Sequence, residues 1–541
     1  MRSHLRGLGG SLLLGLAAAT YFLTPVVEQF VRLTPARSYF LQRVPDRLDY
    51  LVLIGLIIAL GLIAGSADWF GQQFSGSVRR LFEIPLWLMC ALGIEHVVHQ
   101  HLGRYAPVWN TVGAAWNRAG VSAINGWFIT GLLCAMPVLA AFYFWPQAWS
   151  SAKAILCGGA AMVWLACGIK LIHPTVPLTN SRSVVAAPEL KTAGSSRPGS
   201  PIVWIILDEW DYDLTFKRAD QKVFPAFERL RSESMFLEKV RAAGTDTIVA
   251  IPSLLMGRRV TEYRPASAAG AKFLSSATAF ESFPGPPTIF DSAGEFGYRT
   301  HIVGWYHPYC RIFAGRFDSC WWDDLRMQAL RPGGSAAARA VAFLRESIEL
   351  EAVPWLGPTN LLRRHVGRID PMIEQASVAA SHSGKSFAYL HLPIPHGPFF
   401  KRESDGGIVP QPSDVHGYQY GLDEADRALG IIRDAMTRAG VWDDALVVVT
   451  TDHPFRYQFE GGYGNGHIPM MIKFPHQTAP MVYSHPFQAV ETKGLIEDFM
   501  RGGLPTPERA VAWLDRTGSN IPSSGAEGRP RAVPVALTSR K

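Results

Sequence analysis

Hydrophobic positions are distributed unevenly between the two parts of this chain. Long apolar runs lie before residue 175, and each is close to the roughly 20 residues that a helix needs to cross a bilayer. The clearest runs are 8–28, 50–67, 120–145 and 154–172. A further run, 81–98, has a shorter uncharged centre because Glu83 and Glu95 flank it. The pattern predicts an N-terminal helical membrane domain over 1–173, with about five spans.

The start of the chain predicts a retained signal anchor. A positively charged segment, 1–6, precedes the first apolar run, and further apolar runs follow it. Loop charges leave the orientation open, because several arginines crowd the first loop. With five spans and a cytoplasmic N-terminus, the C-terminal part lies across the membrane. We therefore expect a multi-pass protein of the cell (inner) membrane, with this part on the periplasmic, extracytoplasmic side.

After the apolar runs the pattern changes twice. Residues 174–200 are rich in Pro, Ser and Gly without periodicity, which is typical of a linker. From 201 to 516 short apolar runs alternate with amphipathic stretches, and "ALVVVTTDH" directly follows one such helix pattern. This alternation predicts an α/β domain with a doubly wound, mostly parallel sheet. Residues 517–541 form a polar segment that we expect to be a disordered tail.

Charge and cysteine content change this picture little. The net charge of +7 is mild, and no basic cluster is interleaved with aromatic residues, so nucleic acid is not an expected partner. Only Cys310 and Cys320 lie outside the apolar runs. A disulfide between them would stabilise the fold by ~3 kcal/mol and implies an oxidising compartment. Two unpaired buried thiols are the alternative.

Chemically capable side chains collect where apolar runs end. They are Asp208 and Glu209, His391 and His396, Asp452 and His453, with His467 just before another apolar run. Ligands of open α/β sheets bind outside the carboxyl ends of the strands. Carboxylates and imidazoles there form the ligand set of zinc or manganese. A single such residue is more often a cap or a surface residue, but the agreement of several strand ends predicts a metal site.

The stretch "GTDTIVAIPSLLMG", from Gly244 to Gly257, supplies hydroxyls that a metal could activate. A serine or threonine hydroxyl is a weak nucleophile at neutral pH, and metal coordination lowers its pKa. The apolar run after it predicts a helix whose N-terminal amides face an anion. Metal, hydroxyl and helix N-terminus together indicate transfer of a phosphoryl or sulfuryl group.

These residues resemble the alkaline phosphatase superfamily in its sulfatase-like branch, most nearly the membrane-anchored phosphoethanolamine and phosphoglycerol transferases. The matching blocks are Gly244-Thr245-Asp246-Thr247 with Pro252, His391 to His396-Gly-Pro and on to Lys401-Arg402, Asp452-His453, His467 and Glu209. The resemblance implies that Thr247 is the nucleophile. It implies a metal held by Glu209, Asp452, His453 and Thr247, with Asp208 as a further ligand. It also implies that His391, His396 and His467 bind the phosphate or a second metal, or move protons.

Departures from the family pattern bear on the reaction. Sulfatases place Cys or Ser where this chain has Ala250, and an arginine where it has Leu254. A sulfatase lysine is replaced by Trp305. The transferases usually carry cysteines at the positions of Ala243 and Ser253, so that disulfide is absent. Sulfatase-like therefore describes the fold rather than the reaction.

Together these features predict a metal-dependent transferase, with Zn²⁺ or alternatively Mn²⁺ or another divalent cation. It would move phosphoethanolamine or phosphoglycerol from a membrane phospholipid, through a phosphothreonine, to an envelope glycan or lipid. One alternative is a sulfatase-like hydrolase of sulfate or phosphate esters, with water as the acceptor. Another is a membrane-anchored binding protein without catalysis.

Overall fold

The computed structural model describes residues 2–102, 146–172, 199–217, 222–275, 279–323, 334–350, 357–456 and 467–518. The predicted span 120–145 and nearly all of the predicted linker and tail lie outside these residues. The chain forms two compact units. One contains residues 1–182 together with 326–363, and the other contains 183–325 and 364–541.

The helices and strands have the following bounds. The helices are α1 Arg2–Phe22, α2 Thr24–Val31, α3 Pro35–Ser38, α4 Arg47–Gly71, α5 Gly76–Leu102, α6 Pro146–Ile172, α7 Tyr212–Phe216, α8 Pro225–Arg231, α9 Thr247–Met256, α10 Ile289–Glu295, α11 Tyr309–Ile312, α12 Ala336–Leu350, α13 Gly357–Ala380, α14 Val415–Arg438, α15 Thr492–Met500 and α16 Pro507–Gly518. The strands are β1 Ile202–Leu207, β2 Met235–Arg241, β3 Glu262–Ser267, β4 Gly270–Leu274, β5 Glu281–Phe283, β6 Arg299–Trp305, β7 Ser319–Asp323, β8 Ser386–Leu392, β9 Phe400–Arg402, β10 Ile408–Pro410, β11 Leu446–Thr450, β12 His467–Lys473 and β13 Met481–Gln488.

The N-terminal unit supports part of the predicted membrane domain. Within the described ranges, α4 is long and apolar enough to cross a membrane. Gly7–Phe22 and Thr24–Val31 pass the same test together, but a bend of 76° separates them. The apolar part of α5 is confined to Leu81–Gly93, and that of α6 to Lys153–Ala166. By length and composition the described helices therefore provide one span, or two if the bent pair counts as one.

Small residues allow α1 and α4 to approach each other closely. A Cβ atom added to Gly15 would lie 2.2 Å from the backbone oxygen of Gly61. Gly61 and Gly65, one turn apart on α4, meet α1 in the same way. Small residues four apart are a common feature of tightly packed apolar helices, because they permit van der Waals contact between backbones.

A buried ion network joins α12 to the start of α4. Asp49 is completely buried and accepts hydrogen bonds from Arg43 at 2.6 and 2.8 Å. Arg339, on α12, donates to Asp46 at 2.7 Å and to Asp49 at 2.8 Å. Phe343, one turn further along α12, is fully buried, and its ring lies 5.6 Å from that of Phe30. α12 thus belongs to the packing of the N-terminal unit.

Replacement of Arg339 by alanine is expected to destabilise the N-terminal unit by about 3 kcal/mol, because it leaves the buried carboxylate of Asp49 without one of its two cations. The exposed pair of Arg79 and Glu83, four residues apart on α5, provides the matched control. Arg79→Ala should cost about 0.5 kcal/mol or less. Thermal unfolding of the full-length protein in detergent measures both. Equal effects of the two variants would contradict this account of the network.

The C-terminal unit is built on an eight-stranded sheet. Its strand order is β13-β2-β12-β11-β1-β8-β6-β7. All neighbouring strands run parallel except β12, which is antiparallel to both β11 and β2. β1, β8 and β11 are buried along their whole length, as their continuous apolar sequences predict. The predicted α/β fold with a mostly parallel sheet is confirmed.

Candidate active site

Three adjacent parallel strands bring the predicted residues to one edge of the sheet. Ile206 of β1 pairs with Thr450 of β11 on one side and with His391 of β8 on the other. Asp208 and Asp452 each follow two residues later, so they leave the sheet side by side. The backbone closes around this point, since the Asp208 amide donates to Leu392 O at 3.1 Å.

The centre of the site is a buried cluster of Asp208, Asp452 and His453. One ligand atom of each lies within 4.8 Å of the others, and all three side chains are fully buried. His453 Nδ1 lies 2.9 Å from Pro454 O, so it carries the hydrogen and donates to that carbonyl. In the neutral imidazole, Nε2 is then the lone-pair atom, and it lies 3.7 Å from Asp208 Oδ1 and 3.5 Å from Asp452 Oδ2.

The electrostatics of this cluster favour a bound cation. Burial and the neighbouring Asp452 raise the pKa of Asp208 well above its usual range. Burial acts on Asp452 in the same direction, but His453 and His391 outweigh it and lower its pKa. Among the described residues, Asp208 Oδ1 and Asp452 Oδ2 have no hydrogen-bond partner. Buried carboxylate oxygens without partners, facing an imidazole lone pair, fit a divalent metal ion.

Thr247 is the hydroxyl that reaches this cluster. It is the first residue of α9, is nearly buried, and its Oγ1 lies 3.2 Å from His453 Nε2 and 3.4 Å from Asp208 Oδ2. His307 Nε2 lies 3.2 Å from Thr247 O and holds the backbone at this point. Burial lowers the pKa of His307 to about 4, so its ring is neutral at physiological pH. Sequence analysis did not select His307, although it considered Trp305 and Cys310 on either side of it.

The other hydroxyl residues of this segment, and the two positions at which sulfatases carry their characteristic residues, lie outside the cluster. Ala250 and Leu254 are completely buried in the core. Ser253 Oγ donates to Val249 O at 2.6 Å and accepts a hydrogen bond from the Val260 amide at 2.8 Å. The serine that replaces a family cysteine therefore ties α9 to the segment after it. Thr245 is exposed and donates to Asp246 at 3.1 Å, outside the cluster.

Glu209 is placed differently from the other predicted ligands. Its carboxylate accepts a hydrogen bond from Arg456 Nε at 2.6 Å, and it is not part of the Asp208 cluster. The residue has a positive φ of 65°, and its carbonyl accepts from Tyr418 OH at 2.7 Å. Arg456 was missed in the sequence because it lies in a segment with no regular pattern.

The predicted histidines occupy three distinct positions. His391 Nε2 lies 3.9 Å from Asp208 Oδ2, while its Nδ1 lies 2.8 Å from Tyr309 OH. His396 lies against Arg456, whose Nη2 is 3.2 Å from His396 Nε2. His467 begins β12, which runs antiparallel, so it reaches the same sheet edge two strands away from β1. It is not one of the cluster residues.

Two further features border the site. A disulfide joins Cys310 and Cys320, whose Cα atoms are 5.6 Å apart, and so ties the segment that follows His307 to β7. Trp305, at the end of β6, is buried and its ring lies 5.3 Å from that of His396. An indole therefore occupies the position at which the sulfatase pattern has a lysine. By contrast, Arg402 lies outside the cluster and pairs with the exposed Asp370 and the buried Glu424.

Comparison with known proteins agrees with this geometry. Residues 367–501 match the family model described as Sulfatase. This segment contains His391, His396, Asp452 and His453. This segment is therefore similar to sulfatases, which supports an enzyme of the sulfatase-like family. The C-terminal unit, which contains this segment and the cluster described above, is called the sulfatase-like domain below.

Solved structures similar to the sulfatase-like domain have low sequence identity. An alkaline phosphatase superfamily protein from Vibrio parahaemolyticus is 16% identical, with coverage of 57% of this chain and 67% of that chain and a TM-score of 0.37. Phosphonate monoester hydrolase of Agrobacterium radiobacter is 16% identical, with coverage of 56% and 74% and a TM-score of 0.32. The lipoteichoic acid synthase LtaP from Listeria monocytogenes is 15% identical, with coverage of 56% and 72% and a TM-score of 0.37. No curated protein sequence matches the chain significantly.

Proposed function

We propose that this protein is a metal-dependent transferase that moves a phosphoryl head group from a membrane phospholipid, with Thr247 as the covalent carrier. The head group would be phosphoethanolamine or phosphoglycerol, and the acceptor a hydroxyl of an envelope glycan or lipid. A zinc or manganese ion would be held by Asp208, Asp452 and His453. Bound there, the ion would lower the pKa of the Thr247 hydroxyl and offset the negative charge of the phosphate.

One observation carries the proposal. The Thr247 hydroxyl lies 3.2 Å from His453 Nε2 and 3.4 Å from Asp208 Oδ2, at the start of a helix. The position that supplies the sulfatase nucleophile is Ala250, which is fully buried and has no reactive group. Threonine forms a covalent phosphoester, whereas formylglycine chemistry needs a cysteine or serine at the other position. The placement therefore favours phosphoryl transfer over sulfate hydrolysis.

The reaction balances as two displacements at phosphorus. Thr247 Oγ1 forms a bond to the head-group phosphorus, and the phosphorus–oxygen bond to diacylglycerol breaks. The proton lost by the hydroxyl goes to the leaving oxygen, so diacylglycerol departs as an alcohol. An acceptor hydroxyl then attacks the phosphothreonine, and Thr247 regains a proton. His307 serves as a positioning residue in both steps, because it holds the Thr247 carbonyl.

The proposed donor agrees with the N-terminal unit. A donor lipid lies in the bilayer, and α4 is long and apolar enough to anchor the protein there. A multi-pass topology, with the sulfatase-like domain on the periplasmic side, is part of the proposal. The Cys310–Cys320 disulfide supports that side, because disulfides persist in oxidising compartments.

Hydrolysis is the second candidate, because the family model matched by residues 367–501 is Sulfatase. In that case water would take the place of the acceptor hydroxyl, and the same phosphothreonine would form and break. The two candidates differ only in the second displacement. Product analysis with and without an added glycan acceptor separates them.

The proposal is tested by trapping the covalent carrier. The full-length protein is incubated with Mn²⁺ or Zn²⁺ and vesicles of phosphatidylethanolamine and phosphatidylglycerol, and then digested with trypsin. The peptide 242–258 contains Thr245, Thr247 and Ser253, so fragmentation mass spectrometry locates any added mass. We expect phosphoethanolamine or phosphoglycerol on Thr247 alone. A label on Thr245 or Ser253 instead would overturn the proposed nucleophile.

A further inference from the structure

The hydroxyl of Tyr309 contacts a histidine of the site from behind. Tyr309 OH lies 2.8 Å from His391 Nδ1, and both side chains are completely buried. Tyr309 begins α11, and the next residue, Cys310, is joined by the disulfide to Cys320 on β7. Gly304 leaves room for the ring, because a Cβ added there would lie 2.5 Å from two of the Tyr309 ring carbons. The strand, the helix and the disulfide therefore hold this hydroxyl in one place.

The surroundings of His391 determine which of its ring nitrogens carries the hydrogen. Complete burial favours the neutral imidazole, which has a hydrogen on one nitrogen and a lone pair on the other. Nε2 lies 3.9 Å from Asp208 Oδ2, and His391 is not one of the residues that form the Asp208 cluster. A lone pair on Nε2 would face a carboxylate oxygen, whereas a hydrogen is attracted to that oxygen. The hydrogen is therefore on Nε2, and Tyr309 donates its own hydrogen to Nδ1.

His453 has the opposite arrangement because its Nδ1 has a different neighbour. Pro454 O, 2.9 Å away, is a carbonyl oxygen and can only accept, so the hydrogen of His453 is on Nδ1. A tyrosine hydroxyl can donate as well as accept, and so permits the other tautomer at His391. The site thus presents a lone pair from His453 and an N–H group from His391.

We propose that Tyr309 is a positioning residue that holds His391 as a hydrogen-bond donor to the transferred phosphate. This inference deepens the proposed function and rests on it for the identity of the acceptor. Among the described residues, His391 Nε2 has no hydrogen-bond partner. Asp208 Oδ2 lies 3.9 Å from this nitrogen and 3.4 Å from Thr247 Oγ1, so the N–H group is close to the proposed nucleophile.

This assignment distinguishes among the roles that the sequence left open for His391. A nitrogen that carries a hydrogen can neither bind a metal ion nor take up the proton of Thr247. It can donate to a phosphate oxygen, and a fixed donor stabilises negative charge that develops there during the transfer. His391 therefore binds the phosphate, and Tyr309 acts through it.

Solid-state NMR tests the tautomer without any measurement of activity. The full-length protein in lipid, loaded with Zn²⁺, carries the heavy nitrogen isotope at Nδ1 or at Nε2 of its histidines. The His391 signal is the one absent from His391→Gln, and the chemical shift separates an N–H nitrogen from a lone-pair nitrogen. We expect the hydrogen on Nε2 in the wild type, and a population with the hydrogen on Nδ1 in Tyr309→Phe. A hydrogen on Nδ1 in the wild type would overturn the inference while the proposed function stands.

A mutant cycle measures the effect on turnover. Release of diacylglycerol from phospholipid vesicles should fall about tenfold in Tyr309→Phe, which is the effect expected for one hydrogen bond to a charged group. Glutamine at position 391 can offer an amide N–H without help from Tyr309. In His391→Gln the further change Tyr309→Phe should therefore cost no more than about twofold. Equal losses in the two backgrounds would show a purely structural role and overturn the inference.

Two other variants complete the experiment. Gly304→Ala keeps the hydroxyl but crowds the Tyr309 ring, and should reproduce the loss of turnover if Tyr309→Phe fails to fold. Tyr298→Phe is the matched control, since Tyr298 is a buried tyrosine that lies just before the other end of β6. It should change turnover by no more than about twofold. No release of diacylglycerol by the wild type would overturn the proposed function, and with it the phosphate as the acceptor of His391.

Discussion

Replacing Thr247 by alanine is expected to reduce turnover about a thousandfold or more, because it removes the atom that carries the phosphoryl group. Release of diacylglycerol from phospholipid vesicles measures the loss. Thr247→Ser keeps a hydroxyl at this position, a primary one in place of the secondary one, and should retain part of the activity. Metal content of Thr247→Ala should stay at the wild-type value, because Asp208, Asp452 and His453 remain and form the cluster without Thr247.

Thr245 is the control for this prediction. It lies two residues away on the same loop and is exposed, with its hydroxyl bonded to Asp246. Thr245→Ala should change turnover by no more than about twofold, since surface substitutions rarely disturb a site. If Thr247→Ala keeps a tenth of wild-type turnover or more, covalent transfer through this residue is excluded.

Replacing Asp208 by asparagine is expected to change stability in opposite directions with and without metal. In a chelator the variant should be the more stable protein, because it removes a buried carboxylate whose pKa burial and Asp452 raise. With metal at 100 times its dissociation constant, the wild type should gain about 2.7 kcal/mol. The variant should gain little. Thermal unfolding with EDTA and with Mn²⁺ measures both differences.

The raised pKa of Asp208 also determines how the stability of the metal-free protein depends on pH. A carboxyl group whose folded pKa is raised stabilises the fold below its unfolded value, about 3.9, and loses that contribution as the pH rises through the folded value. The advantage of Asp208→Asn should therefore grow from about pH 4 upwards. Asp498→Asn, which changes an exposed ion pair with Arg501, should show neither effect. A pH-independent difference for Asp208→Asn would contradict the assigned cause.

The residues at the strand ends were predictable from sequence because the carboxyl ends of parallel strands meet at one edge of the sheet. Asp208 and Asp452 each follow a short apolar run, and runs of this kind become neighbouring buried strands whose carboxyl ends meet at one edge. His453 comes with Asp452 as the next residue. A polar residue directly after a buried strand can be recognised from a short stretch of sequence. A single sequence therefore suffices to predict a carboxylate–imidazole cluster at this edge.

The different positions of Asp208 and Glu209 in the site were not predictable in the same way. Glu209 is next to Asp208 in the chain, and only the positive φ at Glu209 and the long side chain of Arg456 separate their roles. Arg456 reaches Glu209 across 247 positions of sequence. The hydrophobic periodicity of a sequence gives no sign of a contact between residues so far apart in the chain.

The positions of His467 and of α12 also depend on contacts between distant parts of the sequence. The antiparallel direction of β12 places His467 two strands from β1, and strand direction depends on distant pairing partners rather than on the strand itself. The sequence assigned 326–363 to the catalytic domain by position alone. Its packing with the N-terminal helices depends on Arg339 meeting Asp46 and Asp49 across about 290 residues.

The position of α12 limits how the sulfatase-like domain can be produced as a separate fragment. A fragment that begins at residue 199 would include α12 and remove the helices against which it packs. Phe343 would lose the Phe30 ring beside it, and Arg339 would lose both of its carboxylate partners. An exposed apolar helix of this kind promotes aggregation. A soluble fragment therefore requires a short polar linker in place of 326–363, in addition to removal of the N-terminus.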